Sequence, residues 1–297
     1  MTISRPWPFR FGVNLVLPDT REDCVAKCRR IEELGYDVLC AADHLGMQPP
    51  FPALVLAGAV TERIRLGTFV LNTPFYNPVL LAREVAGTDQ LVGGRLELGL
   101  GAGYVKDEFD AAGISFPRAR ERVDHLERTI TELERLYADA GYEPKPAQPG
   151  GPPLLMAGSG DRSLTLAAEH AAIIGFTGTG KFADGAPLVP ATAEHVEERT
   201  RFVSARLGAR AAEFNLLVHF PQVTEDRRRA LDELHERIGG ALTAEQLAST
   251  PAVLAGTADE IAEQLLAHRA RFGISYYTVL EEHAESFAPV LKALHGR

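Results

Sequence analysis

The sequence predicts a (β/α)8 TIM barrel, and three observations support that prediction. Eight short apolar runs occur in order, each followed by helix-like sequence, which is the strand count of such a barrel. The length of 297 residues fits a barrel of about 250 residues with insertions. No internal repeat or low-complexity tract divides the chain, so residues 1–297 are expected to form a single domain. An open doubly wound sheet, which also alternates strands and helices, is the main alternative.

The first half of the chain holds four predicted strands, each followed by a predicted helix. Strand one alternates apolar residues with Asn14, and Pro18-Asp19-Thr20 ends it and offers helix caps. Gly35 and Gly93-Gly94 end the first and third helices. The fourth helix carries apolar residues at spacings of three and four. The strands cover residues 11–17, 38–42, 64–71 and 96–100, and the helices cover residues 20–34, 53–61, 78–91 and 118–137.

The second half continues the alternation. A strand that ends in Gly158-Ser159-Gly160 opens it, and a glycine-rich insertion, residues 177–190, follows the next strand. The predicted strands cover residues 154–157, 172–176, 213–223 and 276–280, and the predicted helices cover residues 162–170, 191–207, 226–238, 244–248, 257–271 and a last segment that ends near residue 294. In a barrel, functional groups lie in the loops after the strands, so those loops decide the function.

The composition argues against several kinds of partner. The chain has 31 Lys and Arg against 40 Asp and Glu, a formal net charge of −9. Nucleic acids and anionic membranes both require clustered cations, so neither is an expected partner. No apolar run approaches the roughly 20 residues of a spanning helix. Residues 1–11 lack the charged and apolar pattern of a signal peptide.

The cysteines predict a reducing, cytoplasmic location. Cys24, Cys28 and Cys40 are too few, and odd in number, for a disulfide scaffold. Cys24 and Cys28 lie four apart on a predicted helix, where they could act as two soft ligands. No second cysteine pair or nearby histidine completes a metal site, so we interpret them as packing residues.

The ends of the predicted strands are rich in glycine and hydroxyl groups and poor in charge. Only Asp43 and His44 could serve as metal ligands there, so a metal-dependent hydrolase is poorly supported and no metal is expected. Ser159 lacks the Gly-x-Ser-x-Gly elbow of a serine hydrolase. The amides of residues 158–160 open a predicted helix and could hold a phosphate. This rim suits a large, flat, partly anionic cofactor.

Four stretches of the chain carry a family resemblance. They are Ala42-Asp43-His44, Leu66-Gly67-Thr68, Thr73-Pro74-Phe75-Tyr76-Asn77-Pro78 and Gly94-Arg95-Leu96-Glu97-Leu98-Gly99-Leu100-Gly101-Ala102-Gly103, the last continued by Tyr104-x-x-x-Glu108-Phe109 and Ala112-Gly113. With these stretches the chain resembles the bacterial luciferase-like superfamily and, within it, the branch that uses the deazaflavin coenzyme F420. The resemblance runs from Phe11 to about Leu294 and implies a TIM barrel with an insertion region, a flavin or deazaflavin at the C-terminal mouth, and a homodimer.

The resemblance also implies roles for individual residues. His44 matches the position where related deazaflavin dehydrogenases keep the acid/base beside the hydride-transfer carbon, and Asp43 would orient its ring and lie by the cofactor. Phe69-Val70 matches a non-prolyl cis peptide that bulges the third strand and backs the ring system. Residues expected to bind the cofactor, besides Asp43, are Phe69, Val70, Leu71, Asn72, Gly101, Ala102, Gly103, Ala157, Gly158, Ser159, Gly160, Thr177 and Gly178.

Two positions depart from related sugar-phosphate dehydrogenases. Tyr104 stands where those enzymes carry a glutamate proton donor, and Gln48 stands where they carry a tryptophan. Glucose 6-phosphate is therefore not the expected substrate, and Tyr104 becomes either a proton donor or a wall of the site. A less polar organic molecule would suit a pocket lined by the aromatic residues at loop starts, which are Phe51, Phe75, Tyr76, Tyr104 and Phe109.

These observations predict a cytoplasmic oxidoreductase that moves a hydride between coenzyme F420 and a small organic substrate. His44, Asp43 and Tyr104 are its expected catalytic residues. A reduced-FMN-dependent flavin monooxygenase, with the same fold and phosphate site, is the alternative. A non-catalytic flavin-binding protein is a further alternative, which would bind a cofactor without turnover.

Overall fold

Residues 7–15, 20–179 and 188–294 are described by a computed structural model, and strands occur in it where the sequence has its apolar runs. The strands are β1 (Arg10–Leu15), β2 (Val38–Ala41), β3 (Arg65–Thr68), β4 (Leu71–Asn72), β5 (Leu96–Gly101), β6 (Leu154–Ala157), β7 (Ile173–Phe176), β8 (Glu213–Val218), β9 (Phe220–Val223), β10 (Val253–Gly256) and β11 (Ile274–Leu280). The helices are α1 (Arg21–Leu34), α2 (Pro50–Val60), α3 (Pro78–Leu91), α4 (Lys106–Ala111), α5 (Ala119–Ala138), α6 (Asp161–His170), α7 (Ala193–Ser204), α8 (Arg227–Arg237), α9 (Ala244–Ser249), α10 (Ala258–Phe272) and α11 (Ala284–Leu294).

Eight parallel strands of the described chain close into a barrel. Their order is β3-β2-β1-β11-β8-β7-β6-β5, and β3 pairs with β5 to close the ring. The predicted TIM barrel is therefore confirmed, and the alternative prediction of an open doubly wound sheet is wrong. The barrel strands are buried on both faces over most of their length, because helices cover the outside and other strands' side chains fill the inside.

Alternation along β1 shows how the two faces are used. Phe11, Val13 and Leu15 belong to the large apolar cluster between the barrel and its helices. Gly12 lies on the inner face, where an added Cβ would come 3.0 Å from the hydroxyl of Tyr276. Small residues on the inner face therefore leave room for the few large side chains that fill the barrel.

Buried charges close the N-terminal end of the barrel. Arg10, the first residue of β1, contacts Glu213 on β8 through Nη1 at 2.6 Å and Glu97 on β5 through Nη2 at 2.5 Å. Arg65 of β3 reaches the same Glu97 oxygen through Nε at 2.6 Å. Since this end is filled by paired side chains, the opposite, C-terminal end is the one where a ligand can enter.

The predicted third and seventh strands differ from the observed ones. The third, residues 64–71, ends as β3 at Thr68 and resumes as β4 after Phe69-Val70. The seventh, residues 213–223, divides into β8 within the barrel and β9 outside it, where β9 pairs with β10. An apolar run continues through both pieces, and only the pairing partner shows that they belong to different sheets.

Two elements were not anticipated, and two predicted segments cannot be compared. β10, of four residues, and α4, of six residues, were not predicted. The predicted end of strand one, residues 16–17, and part of the predicted insertion, residues 180–187, lie outside the described residues.

Candidate active site

The candidate site lies at the C-terminal mouth of the barrel, where inner-face side chains are only partly covered. Asn14 at the end of β1, Phe69 after β3, Ala157 at the end of β6 and Thr177 after β7 are all half-buried. The inner-face residues one step below them, such as Gly12 and those at 67, 155 and 175, are buried. The mouth therefore has a closed base and a surface that a ligand could reach.

The segment between β3 and β4 forms a bulge at this mouth. The peptide bond between Phe69 and Val70 is cis, as the resemblance implies. Hydrogen bonds to β5 hold the bulge at both ends. The Thr68 hydroxyl donates to the Gly99 carbonyl at 2.8 Å, and the Thr73 hydroxyl donates to the Gly101 carbonyl at 2.8 Å.

The glycine-rich turn after β5 is explained by this bulge. An added Cβ would lie 1.9 Å from a backbone carbonyl oxygen of β3 at Gly99, 2.6 Å from Val70 Cγ2 at Gly101, and 2.1 Å from Asn72 Oδ1 at Gly103, where φ is +71°. The protein's own backbone and side chains occupy the space that we expected a ligand to use. Gly101 is buried beneath Val70, whereas Ala102 and Gly103 are half-buried, and cofactor binding by these three residues stays a prediction.

His44, which follows β2, is hydrogen-bonded to Glu108 of α4. The distance from His44 Nδ1 to Glu108 Oε1 is 2.7 Å, and the exposed fractions of the two side chains are 32% and 15%. The next residue, Phe109, is fully buried and packs on Phe75 and Phe116 with ring centroids 5.0 and 4.9 Å apart. Phe109 thus anchors the short helix that presents Glu108. Glu108 belongs to the family motif, but nothing in its sequence context assigns it a role.

Asp43 holds the bulge rather than the imidazole. Its Oδ2 accepts a hydrogen bond from the Asn72 amide at 2.8 Å, and its carboxylate is also hydrogen-bonded to the hydroxyl of Tyr76. Burial raises the pKa of Asp43, and these two hydrogen bonds oppose the rise. The expectation that Asp43 orients the His44 ring is therefore corrected, because Glu108 makes that contact. Asp43 directly precedes His44 in the chain, and its hydrogen bond from the Asn72 amide connects this segment to the bulge.

Tyr104 lies at the edge of His44. The two ring centroids are 6.2 Å apart with an interplanar angle of 87°, and Tyr104 is 63% exposed. A tight turn follows His44, whose carbonyl accepts a hydrogen bond from Met47 N at 3.1 Å, and Leu45 and Met47 are also exposed. The imidazole therefore lies beside one solvent-facing aromatic ring, and two exposed apolar residues follow it in the chain.

The predicted aromatic pocket is not formed. Phe51 and Phe109 are buried, Phe75 packs against Phe109, and Tyr76 is hydrogen-bonded to Asp43. Of the five aromatic residues, Tyr104 alone presents most of its surface to solvent. Aromatic residues at these loop starts serve as core anchors, which sequence alone could not distinguish from pocket walls.

Two more residues predicted to bind the cofactor are buried. Leu71 lies in the apolar cluster between barrel and helices. Gly178 has a φ of +67°, and an added Cβ would lie 2.9 Å from the Leu217 carbonyl oxygen, but its backbone borders a small cleft beside Ser159. Cofactor binding by these two residues stays a prediction. Thr177 is half-buried, and its carbonyl accepts a hydrogen bond from His219 Nε2 at 2.9 Å.

The predicted phosphate segment divides into a structural and an accessible part. The Gly158 amide donates to the Gly175 carbonyl at 3.2 Å, and an added Cβ would meet Ser163 Cβ at 2.9 Å, so Gly158 is required for packing and its amide is engaged. Ser159 and Gly160 are exposed. Gly160 is the N-cap of α6, which has no side-chain cap, and an added Cβ there meets nothing within 4 Å.

A small cleft at this helix start is lined by two basic residues, an imidazole and a guanidinium, that the sequence did not indicate. His195 and Arg199, both on α7, border it together with Ser159 and Thr179. Arg199 Nη1 contacts Asp161 Oδ1 at 2.5 Å, and its Nη2 pairs with Glu198. Thr179 is buried, and its hydroxyl has no hydrogen-bond partner among the described residues. Helix amides and a guanidinium together suit an anionic group.

The described residues offer neither a metal site nor a membrane-spanning helix. No group of three or more His, Cys, Asp and Glu side chains in the described part of the chain is arranged to hold a metal ion. None of the described helices combines the length and apolar character needed to cross a bilayer.

The chain is similar to known proteins in both sequence and structure. The luciferase-like monooxygenase family model matches residues 7–276. An F420-dependent glucose-6-phosphate dehydrogenase of Kineococcus radiotolerans is 31% identical over 267 residues, which cover 80% of this chain and 75% of that protein. Four other relatives of the same name match over only 34–38% of their own length.

Two solved structures show the same fold. The coenzyme F420 dependent tetrahydromethanopterin reductase from Methanopyrus kandleri is similar with a TM-score of 0.74 at 17% identity, over 96% of this chain and 97% of that chain. The oxygenating constituent of 3,6-diketocamphane monooxygenase from Pseudomonas putida, in complex with FMN, has a TM-score of 0.72 at 16% identity, over 97% and 96%. The family match and the relative aligned over most of its length show that this chain belongs to the luciferase-like monooxygenase family.

Proposed function

We propose that this protein is an oxidoreductase that transfers a hydride between the deazaflavin coenzyme F420 and a small organic substrate, with His44 as the acid/base. The observation that supports this most is the His44–Glu108 pair at the mouth that also carries the Phe69-Val70 bulge. Asp43 connects the two features, since it adjoins His44 and accepts a hydrogen bond from Asn72. The names of the curated relatives support F420 as the cofactor.

The residues at the mouth fit the chemistry of such a cofactor. Phe69 and Val70 offer a partly exposed apolar surface for a flat ring. The buried Asn72 Oδ1 has no hydrogen-bond partner among the described residues and could accept from a ring N–H. The uncapped start of α6, with His195 and Arg199 beside it, offers donors to a phosphate.

The division of labour follows from these contacts. When bound, the coenzyme supplies the carbon that gives or takes the hydride. His44 exchanges the accompanying proton with the substrate, taking it in the oxidising direction and returning it in the reducing direction. We assign Tyr104 to the wall beside this imidazole, where Leu45 and Met47 are also exposed. Such surroundings favour a substrate with an apolar part.

Glucose 6-phosphate fits the site poorly. Two cations near the turn after β5 are already engaged: Lys106 pairs with Asp110, and Arg122 donates from Nε to the Gly103 carbonyl at 3.1 Å. Tyr104 and Gln48 stand where related sugar-phosphate dehydrogenases carry a glutamate and a tryptophan. The substrate therefore belongs to a different class from that in the relatives' names.

Reduced FMN is the second candidate cofactor. It shares the flat ring and the phosphate, and a structural neighbour was solved with FMN. Fluorescence titration of the purified protein with F420 and, separately, with FMN distinguishes the two. We expect saturable binding of F420 and weaker binding of FMN. Tight FMN binding without F420 binding would reverse the assignment.

Turnover is tested next with the F420 complex. The reduced coenzyme is mixed with a panel of small ketones, enones and imines, and its oxidation is followed by absorbance. Binding without turnover on any member would favour a non-catalytic flavin-binding protein. On the substrate found, His44→Ala should lower kcat by about 10²- to 10⁴-fold with F420 affinity little changed. The matched control is His170→Ala, which removes a histidine paired with Glu134 on the surface; equal loss of binding and turnover in His44→Ala would indicate a binding role.

We also propose a cytoplasmic homodimer. The proposal of a homodimer is based on the family resemblance. The proposal of a cytoplasmic location is based on the small, odd number of cysteines. Size-exclusion chromatography with light scattering tests the dimer, and a mass of 32.2 kDa, that of one chain, would contradict it.

A further inference from the structure

The contact between His44 and Glu108 determines more than the presence of an acid/base. A carboxylate can only accept hydrogen bonds, so the ring nitrogen 2.7 Å from Glu108 Oε1 must carry a hydrogen. That nitrogen is Nδ1. In the neutral ring, the other nitrogen, Nε2, then has the free lone pair.

Glu108 is held in place by its surroundings. Phe109 fixes α4 in the aromatic cluster with Phe75 and Phe116. On the same helix, Lys106 and Asp110 pair with each other at the exposed surface. Glu108 is the carboxylate on this helix with a mostly covered side chain, 15% exposed, and it lies against the imidazole.

The nearby carboxylate of Asp43 does not compete for the imidazole. It accepts from the Asn72 amide and is hydrogen-bonded to Tyr76. Its charge is nevertheless close to both His44 and Glu108. If Nε2 gains a proton, the resulting imidazolium has Glu108 bonded to it and Asp43 near it, and both stabilise the positive charge.

We propose that Glu108 is the positioning residue of this site, holding His44 as the Nδ1–H tautomer so that protons enter and leave through Nε2. In the oxidising direction, the substrate's O–H or N–H bond breaks as the Nε2–H bond forms, while the hydride leaves the substrate carbon for the coenzyme. The reducing direction reverses both transfers. The part concerning proton transfer rests on the proposed function; the tautomer does not.

The tautomer can be measured without any cofactor. Protein labelled with ¹⁵N-histidine is studied by two-dimensional NMR under conditions where the ring is neutral, and His44→Ala identifies the His44 signals among nine histidines. We expect a protonated Nδ1 and an unprotonated Nε2 in the wild-type protein. A protonated Nε2 in the wild type would overturn the proposal without any variant.

Variants then test the cause. Glu108→Ala should shift His44 to the tautomer mixture of an imidazole without a fixed partner, whereas Glu108→Gln, which keeps an acceptor oxygen, should retain Nδ1–H. The control is Asp107→Asn, which removes an exposed carboxylate from the same helix and should change nothing. On the substrate found by the panel, Glu108→Ala should lower kcat about 10- to 100-fold with F420 affinity unchanged. An unchanged His44 tautomer in Glu108→Ala would overturn the proposal, whereas failure to bind F420 would contradict only the proposed function.

Discussion

The close approach of Gly101 to the bulge gives a prediction with a definite size. In Gly101→Ala, the new Cβ would lie 2.6 Å from Val70 Cγ2, where carbon atoms in contact prefer about 3.5–4.0 Å. Val70 is β-branched, so it has few rotamers with which to move away. Overpacking of this kind costs about 1–3 kcal/mol. We expect the unfolding free energy to fall by that amount.

The same substitution should weaken cofactor binding, because it displaces the bulge on which we propose that the ring lies. A displacement costing about 1.4 kcal/mol in the complex corresponds to about tenfold in affinity. Urea denaturation measures the stability, and F420 titration measures the binding. Val70→Ala in the same chain removes Cγ2 and should restore at least half of the lost stability, as a double-mutant cycle would show.

Gly87→Ala is the matched control. Gly87 lies within α3, and an added Cβ meets nothing within 4 Å. Alanine should therefore stabilise the protein by about 0.5–1 kcal/mol through its better helix propensity. If Gly101→Ala proved as stable as Gly87→Ala, or if Val70→Ala recovered nothing in the Gly101→Ala background, the packing explanation of the glycine-rich turn would be refuted.

Three further predictions concern other parts of the molecule. Arg199→Gln should raise the Kd for F420 about tenfold, because a hydrogen bond from a charged group contributes about 1.5–3 kcal/mol. The control is Arg201→Gln, which removes an arginine paired with Glu197 on the same helix and should leave the Kd unchanged. If the two variants had the same Kd, the cleft would not be part of the binding site. Tyr104→Phe should leave kcat within about twofold if Tyr104 is a wall, whereas a loss within the range of about 10²- to 10⁴-fold typical of an acid/base would identify a proton donor. Burial lowers the pKa of His268 to about 4 from 6.5, so the unfolded chain takes up its proton first as the pH falls. His268 therefore contributes stability that is fully present above pH 6.5 and is lost towards pH 4, by up to about 3 kcal/mol. In His268→Phe, the unfolding free energy measured by urea titration should change less between pH 6.5 and pH 4 than in the wild-type protein. The same change in both proteins would contradict this prediction.

The barrel and the general place of the site could be predicted from the sequence because they depend on local patterns. Apolar alternation marks each strand, and Gly35, with a φ of +92°, ends α1 as its position predicts. Asp43 and His44 follow directly after β2, so their place at the mouth follows from strand direction alone. The Phe69-Val70 bulge could be anticipated from the resemblance, which carries information that a single sequence lacks.

The sequence by itself therefore determined the (β/α)8 architecture and the loops that form the mouth, since both arise from periodicity and strand order. Only the tertiary structure decided that Glu108 is the partner of His44 and that Gly101 serves the bulge. It also decided that Leu71 faces the helices and that Arg199 reaches the start of α6. The physical reason is that each of these contacts joins residues far apart in the chain, and which atoms meet depends on strand pairing and helix packing that no local pattern encodes.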